Sequence, residues 1–476
     1  MVLSRFWLAI FISSLLFVLV SLFTGSFYSL EYSLTGKKDD LKIISEKYLS
    51  ELPVALQDSL KASPAHSVVI NDTSFVYEKS VVKIYHGKQQ ADGLLTTCKN
   101  TITDIIIPLI AYLAFFCGLL QLLIDSGASE KLAVLISPVF VKIFPEIPKN
   151  HPSISYMTLN FAANFLGLDS AATPFGLKAM ESLQELNKNK EVASNSQIMF
   201  MCLHAAGLTL IPTSIIGYRA AQNATNPADV MLPCIITSFI GTIAALLIVG
   251  IRQKINFKSA SLILSIGLLS GVIISLLLFI NTLDLISKNH FTANLSNVLM
   301  FGIILFILVY ALAKEKVFDA QGKNVFSSFV EGATSGARTG FTVFPYVLGM
   351  LVAISLFRNS GLFEIITTKL ASFFLLFDLN KSIVDALPVA LLRPFSSGGS
   401  RGFMIDAMNT YGPDSLTGRL SCIFQCAAET TFYVIAVYFG SINIKNVRYT
   451  LTTMLWVDFI CVLAAIFVSV LFFGLS

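Results

Sequence analysis

The chain has 476 residues, of which 55% are hydrophobic and only 13% charged, with a formal net charge of +4. Ordinary soluble domains carry about a quarter charged residues, so this balance excludes an aqueous globular enzyme. The positive charge is spread over short connections and forms no basic stripe, which excludes a nucleic-acid footprint.

The apolar residues come in long uncharged runs, at 6–30, 105–124, 192–218, 230–251, 259–283 and 291–313. Each reaches the ~20 residues that a helix needs to cross a bilayer. The first run exceeds the apolar core of a signal peptide, about 7–15 residues, and no small-residue cleavage site follows Phe23, so it reads as a retained helix. Residues 31–98 are mixed and polar, with lysines balancing acidic residues, and form the one stretch able to make a small water-exposed domain. Residues 1–98 are therefore expected to be a transmembrane helix plus a small extracytoplasmic segment. The seven cysteines are odd in number and lie mostly inside apolar runs, where Cys behaves as a small hydrophobe. They predict neither a disulfide framework nor a metal site, and no cofactor is expected.

Beyond residue 98 the two halves of the chain echo each other. The run from Pro108 to Gly127 has a counterpart from Pro345 to Gly361, both closing in Ser-Gly. Each is followed by an apolar stretch interrupted by small polar residues, 160–174 in the first half and 393–402 in the second. A second interrupted stretch follows each, near Gly207–Thr213 and near Glu429–Thr431, and each unit closes with a long apolar helix. The sequence thus predicts an all-α polytopic membrane protein with two repeats, 99–252 and 325–476, joined by two simple spanning helices within 253–324. Each repeat is expected to hold one re-entrant hairpin and one broken helix.

Loop charges orient the repeats. Arg252, Lys254 and Lys258 form an acid-free cluster that the positive-inside tendency assigns to the cytoplasm. Lys314, Lys316 and Lys323 return to that side two helices later, and Lys445 and Arg448 follow. On this count the repeats are inverted, as in many secondary transporters, and the protein belongs in a bacterial inner membrane. Its expected partners are the lipid bilayer and a small polar solute, and its composition is compatible with a homo-oligomer.

Candidate site residues cluster at the interruptions. Asn160 and Asn164, four apart, share a helix face; Asp169 and Ser170 follow, and Thr173 before Pro174 is a helix-start signal. The second half supplies Arg393, Ser396, Ser397, Ser400 and Arg401, with a hydroxyl residue again placed to cap a half-helix. Two positively polarised helix starts facing one cavity favour polar or anionic ligand groups. The bland alternative is that these polar residues only bond neighbouring helices. Glu429, beside Thr430 in an apolar stretch, is costly there without a partner or a function. Either it binds a coupling cation or proton, or it pairs with Arg393 or Arg401. His204 is either structural or a second ion-coupling group. Gly398-Gly-Ser400-Arg-Gly402 fits the G-x-S-x-G nucleophile pattern, but that motif needs a preceding strand. Here it follows a proline-broken membrane helix, so no enzyme is expected.

At these residues the chain resembles a known family. Phe144-Pro-Glu-Ile-Pro-Lys-Asn-His151, Asn160-Phe-Ala-Ala-Asn164-Phe-Leu-Gly167, Ala172-Thr-Pro-Phe-Gly-Leu-Lys-Ala-Met180 and Leu208-Thr-Leu-Ile-Pro-Thr213 resemble spore maturation protein A. Leu392-Arg-Pro-Phe-Ser-Ser-Gly-Gly-Ser-Arg-Gly402, Tyr411-Gly-Pro-Asp414 and Glu429-Thr-Thr-Phe-Tyr-Val-Ile-Ala-Val-Tyr-Phe-Gly440 resemble spore maturation protein B. The resemblance implies a fusion of the two and a nucleoside-recognition, or Gate, domain shared with concentrative nucleoside transporters and an iron transporter. It departs from that pattern at His204-Ala-Ala-Gly207 and at Cys426-Ala-Ala, where small polar residues are usual. Two functions remain in view: a permease-like transporter of a nucleoside-like or anionic solute, and a non-transporting scaffold of envelope or spore maturation.

Overall fold

The computed structural model describes the chain except residues 1, 24–26, 39, 64–65, 71–72, 79–80, 89–90, 149–150, 168, 258–259, 364, 366–368, 370–379 and 476. For some helix and strand residues, Asp169, Ser170 and Pro174 among them, the description covers the backbone alone. The chain divides into two compact units, 1–104 with 345–379, and 105–344 with 380–476.

The smaller unit opens with α1 (Val2–Phe23) and α2 (Phe27–Thr35). Then comes an element that an all-α expectation does not contain. The strands β1 (Leu41–Tyr48), β2 (Ser67–Ile70), β3 (Thr73–Glu78) and β4 (Val81–Lys88) form an antiparallel sheet in the order β1-β4-β3-β2. The helix α3 (Val54–Ala62) joins them around a small core of Leu52, Leu60, Val82 and Ile84. The β-branched and aromatic residues of Val68-Val-Ile70 and Phe75-Val-Tyr77 suit such strands. A helix α4 (Leu94–Asn100) leads through a π-helical turn at Thr101–Ile106 into α5 (Ile107–Asp125).

The larger unit is helical throughout its described residues. After α5 come α6 (Ala128–Ile143), α7 (Pro152–Phe165) and α8 (Asp169–Leu186), then α9 (Asn195–Ala205) and α10 (Thr213–Ala221), and then α11 (Met231–Arg252). Two peripheral helices follow, α12 (Ala260–Asn281) and α13 (Leu285–Ala313), and a short α14 (Glu315–Ala320). The long α15 (Val325–Asn359) contains Pro345, where the chain passes from the larger unit to the smaller. The second half continues with α16 (Lys381–Leu392), α17 (Ser397–Tyr411), α18 (Leu416–Cys426), α19 (Thr431–Ser441) and α20 (Thr450–Phe473). Among the described residues six helical segments are long and apolar enough to cross a membrane. The outer helices show what covers them: α13 turns Phe301, Leu305, Phe306 and Leu312 outward, as a lipid-facing helix does and a water-facing one does not.

From α7 to α11 in the first half and from α16 to α20 in the second, the described helices follow one another in the same order. The consecutive helices α7 and α8 pack along each other, as do α16 and α17. The interruptions expected near Gly207–Thr213 and Glu429–Thr431 are real: residues 206–212 separate α9 from α10, and 427–430 separate α18 from α19. One expected start differs. The second half-helix of the first repeat begins at Asp169, not at Thr173-Pro174, because Gly167 ends α7 in the left-handed region at φ +76° and the chain re-enters a helix at once. A Cβ at Gly167 would collide with the Ile211 carbonyl, so no other residue fits this turn.

The outer ends of the repeats are pinned in two places. At one, the fully buried Arg219 of α10 pairs with Asp229 at 2.8 Å and with Asp414 at 3.1 Å, and donates to the Pro413 carbonyl at 2.6 Å. Arg419 shares Asp229 at 2.8 Å. This joins the loop after α10 to the loop before α18. At the other, Lys445 pairs with Glu191 at 2.6 Å and the Ala193 amide donates to the Asn446 carbonyl at 2.9 Å, joining the loop before α9 to the loop after α19. Against α5, α15 presents Gly332, Gly336 and Gly340; at Gly336 a Cβ would strike the Leu113 carbonyl, so the two backbones approach as small-xxx-small helices do.

Two sets of substitutions test this frame by thermal unfolding in detergent. Arg219→Ala removes one of the two arginines that neutralise the buried Asp229 and is expected to cost about 3 kcal/mol, whereas Lys445→Ala, at an exposed pair, leaves the melting temperature within error. Gly336→Leu wedges α15 from α5 and lowers stability by at least about 1–3 kcal/mol.

Candidate solute-binding site

The four helix interruptions meet around one cavity of about 110 Å³. Its wall takes Asn164 and Gly167 from the end of α7, and Gly207 to Ile215 from the α9–α10 break. It takes Arg393 and Ser397 from the α16–α17 link, and Gln425, Cys426 and Glu429 from the α18–α19 break, with Tyr218 and Arg401 closing one side. Backbone groups freed by the breaks bond one another. The Leu210 amide donates to the Phe165 carbonyl at 2.7 Å, and in the other half the Phe432 amide donates to the Pro394 carbonyl at 3.0 Å. Between the halves, the Glu429 amide donates to the Ala205 carbonyl at 2.8 Å.

Two helix starts face the cavity. Ser396 caps α17, its hydroxyl accepting from the Gly399 amide at 2.9 Å, which leaves Ser397 on the wall. Thr213 and Ser214 open α10 there, with no side-chain cap. Charge at the wall comes from Arg393, Arg401 and Glu429, one net positive charge. Arg393 is 9% exposed; its Nη1 donates to Thr430 Oγ1 at 3.0 Å, its Nη2 lies 3.8 Å from Glu429 Oε2, and its Nε has no hydrogen-bond partner among the described residues. Arg401 lies over the Tyr218 ring at 5.5 Å. Beyond that pair a second cavity of about 110 Å³ opens between α5, α10 and α15; Tyr218, Arg401, Thr213, Ser214 and Gly167 belong to both walls.

Of the residues singled out in the sequence, Asn164, Arg393, Ser397, Arg401 and Glu429 line the cavity. Others stand behind the wall and hold it. Asn160 donates to the Ala172 carbonyl at 2.7 Å, tying α7 to α8, and its Oδ1 lies 3.1 Å from His204 Nδ1. Asn164 Nδ2 lies 2.9 Å from the same nitrogen, and the His204 ring sits 4.8 Å from Tyr438. His204 is thus a buried hub between α7, α9 and α19, not a wall residue. Ser400 is occupied by the Val389 carbonyl at 2.9 Å and Gln425 Oε1 at 2.6 Å inside α17, so Gly398–Gly402 forms a helix start and not a strand-turn-helix elbow. Thr173 lies within α8; the Asp169 and Ser170 side chains are outside the described residues. Sequence reading missed Tyr218, Ser214, Gln425 and Cys426. The first two lie four apart on one face of α10, and the last two form the final turn before a break, so their placement was available from spacing. Asp458, passed over in the sequence, accepts from Thr431 at 2.7 Å and fixes the start of α19.

Fold and site together define a class: a multi-pass membrane protein whose two like halves enclose a polar cavity at their helix breaks. Residues 106–222 and 340–445 match the Gate family, described as nucleoside recognition. The chain is 39% identical over 157 residues to spore maturation protein A of Bacillus subtilis (strain 168), a match covering 33% of this chain and 80% of that protein. It is 40% identical over 149 residues to spore maturation protein B of the same strain, covering 31% of this chain and 82% of that protein. The chain belongs to this Gate family and joins counterparts of the two Bacillus proteins in one polypeptide. No solved structure matches it.

Wall and support respond differently to truncation. Ser400→Ala removes the buried hydroxyl that links the Val389 carbonyl to Gln425 Oε1 and is expected to lower stability by about 1 kcal/mol. Ser397→Ala removes a group that faces the cavity and leaves the melting temperature unchanged.

Proposed function

We propose that the protein is a permease-like transporter of a small polar solute, anionic or nucleoside-like, which binds between the helix breaks of the two repeats. The observation that carries this reading is Arg393: a buried guanidinium on the wall of a polar cavity, whose Glu429 counter-charge stays 3.8 Å away. A buried charge without a close ion pair is costly at membrane depth, and an anionic or hydroxyl-bearing ligand in the cavity completes it. At about 110 Å³ the cavity suits a small anion, since one water needs about 10–15 Å³ by this measure; a nucleoside needs it to open further, as into the adjoining cavity beside Tyr218 and Arg401. The Gate family's description as nucleoside recognition supports the nucleoside-like class, and the excess of arginine over glutamate supports the anionic one. A scaffold whose polar groups only tie helices together has no need of a net positive cavity wall, although the relatives' names keep a role in spore maturation in view.

We further infer that the repeats are inverted and that α7–α8 and α16–α17 are re-entrant. Support comes from the outer ends: the loop after α10 meets the loop before α18, and the loop before α9 meets the loop after α19. Those pairings require the two broken helices to run in opposite directions, the geometry of alternating access. The basic residues near 252–254 and 445–448 assign that end to the cytoplasm of a bacterial cell. Glu429, only loosely held by Arg393, is the coupling-ion candidate. No bond-making chemistry is proposed.

The test is thermal stabilisation of the detergent-purified protein by nucleosides, nucleotides, small anions and cations. A cognate solute at about a hundred times its Kd stabilises by about 2.7 kcal/mol, and Ser397→Ala and Glu429→Gln abolish or weaken that shift while remaining folded. A full panel without any saturable shift overturns the transport reading.

A further inference from the structure

A second basic site lies away from the solute cavity, where the two repeats meet at the ends of α11 and α20. An open groove of about 780 Å³ is lined by Arg252, Lys254, Arg448, Tyr449, Gln253 and Asn195, among others. The Arg252 guanidinium lies 4.0 Å above the Tyr449 ring and that of Arg448 lies 5.3 Å from the same ring. Gln253 donates to the Tyr449 hydroxyl at 3.0 Å, and Arg448 donates to Asn195 Oδ1 at 3.0 Å and to the Ala193 carbonyl at 3.1 Å. The groove is therefore built from both repeats and held in shape by side-chain bonds.

Three cations converge there, and among the described residues none has a carboxylate within ion-pair distance. Like charges gathered around one ring repel unless an anion sits among them. What lies deeper on the same two helices identifies that anion. Thr452 lines the groove, and one turn on along the same face of α20 stands Trp456, 56% exposed, then Phe459 and Leu463, also exposed. On α11, Ile251 beside Arg252 is 70% exposed and Leu247 one turn deeper is exposed as well. A cationic groove at the head of a continuous exposed apolar stripe matches a phosphate headgroup with acyl chains descending beside it; a free phosphate has no use for the stripe.

We propose that this groove binds the headgroup of an anionic phospholipid and that the lipid clamps the two repeats together at this end. The proposal stands independently of the solute cavity, from which these residues are absent.

The experiment uses the full-length protein, delipidated in a neutral detergent, followed by thermal unfolding and native mass spectrometry. The probes are phosphatidylglycerol, phosphatidylcholine and inorganic phosphate. Phosphatidylglycerol is expected to stay bound and raise the melting temperature saturably, while the other two at equal concentration do not. Arg252→Gln with Lys254→Gln weakens phosphatidylglycerol binding by about five-fold per charge removed. Lys314→Gln with Lys316→Gln, which removes the same two charges outside the groove, leaves it unchanged. Should the double variant fail to fold, Lys254→Gln alone, at a side chain outside the core, is expected to show the single loss of about five-fold. Equal retention of phosphatidylcholine, or phosphatidylglycerol binding indifferent to the groove variants, overturns the proposal. Stabilisation by inorganic phosphate that the same variants remove also overturns it, and assigns the groove to a soluble anion.

Discussion

The structure depends on how broken helices satisfy their backbone inside an apolar layer. Each break frees amides and carbonyls that lipid cannot hydrogen-bond, so irregular backbone survives there only against protein or water. Here the breaks solve the problem for one another: Leu210 bonds Phe165, Phe432 bonds Pro394, and Glu429 bonds Ala205 across the repeats. These bonds force the four interruptions into one neighbourhood, and the cavity is the space they enclose. Its polarity follows from the same cause, because the ends that line it are N–H and C=O groups and the small hydroxyl residues that cap them.

Holding the breaks together requires that the rest of the helices not slide. The outer loops provide this with charge: Arg219 between Asp229 and Asp414 at one end, Lys445 with Glu191 at the other. The two ends differ in kind. The Arg219 cluster is buried, so its contribution comes from satisfying charges that would otherwise be stranded, whereas the Lys445 pair is solvated and mainly records which loops are neighbours. Along the side, α5 and α15 lock through glycines that permit backbone contact, since apolar side chains facing lipid gain little by facing each other.

The membrane class, the two-repeat plan and the helix breaks were legible in the sequence because each leaves a local mark: uncharged runs, duplicated Ser-Gly closures, and Asn, Ser and Pro within apolar stretches. The cavity wall was legible in outline, since five of the residues read as candidates line it. What sequence could not resolve was which polar residue faces the cavity and which faces a neighbour. Ser397 and Ser400 look alike in sequence; in space one opens onto the wall and the other is consumed by Val389 and Gln425. His204 is open in the sequence between a structural and an ion-coupling role; in space Asn160 and Asn164 flank its Nδ1 and it stands behind the wall. The small sheet between α2 and α4 escaped because its strands sit in a polar segment, where a two-residue period leaves little trace.

Arg393 ties the site's electrostatics to its architecture. Its position just before Pro394 is fixed, because the Pro394 carbonyl receives the Phe432 amide. The guanidinium is thereby held between Thr430, on the next break, and Glu429, which stays 3.8 Å away and is not drawn into a tight pair. A closer pair would neutralise the arginine and remove its hold on any anion; a more distant glutamate would leave a buried cation without counter-charge. At the observed separation an incoming anion competes with Glu429 for one guanidinium. On the transport reading, whatever frees Glu429 also leaves it able to take up a proton or cation, so a single shared arginine is sufficient to make solute binding and ion binding depend on each other.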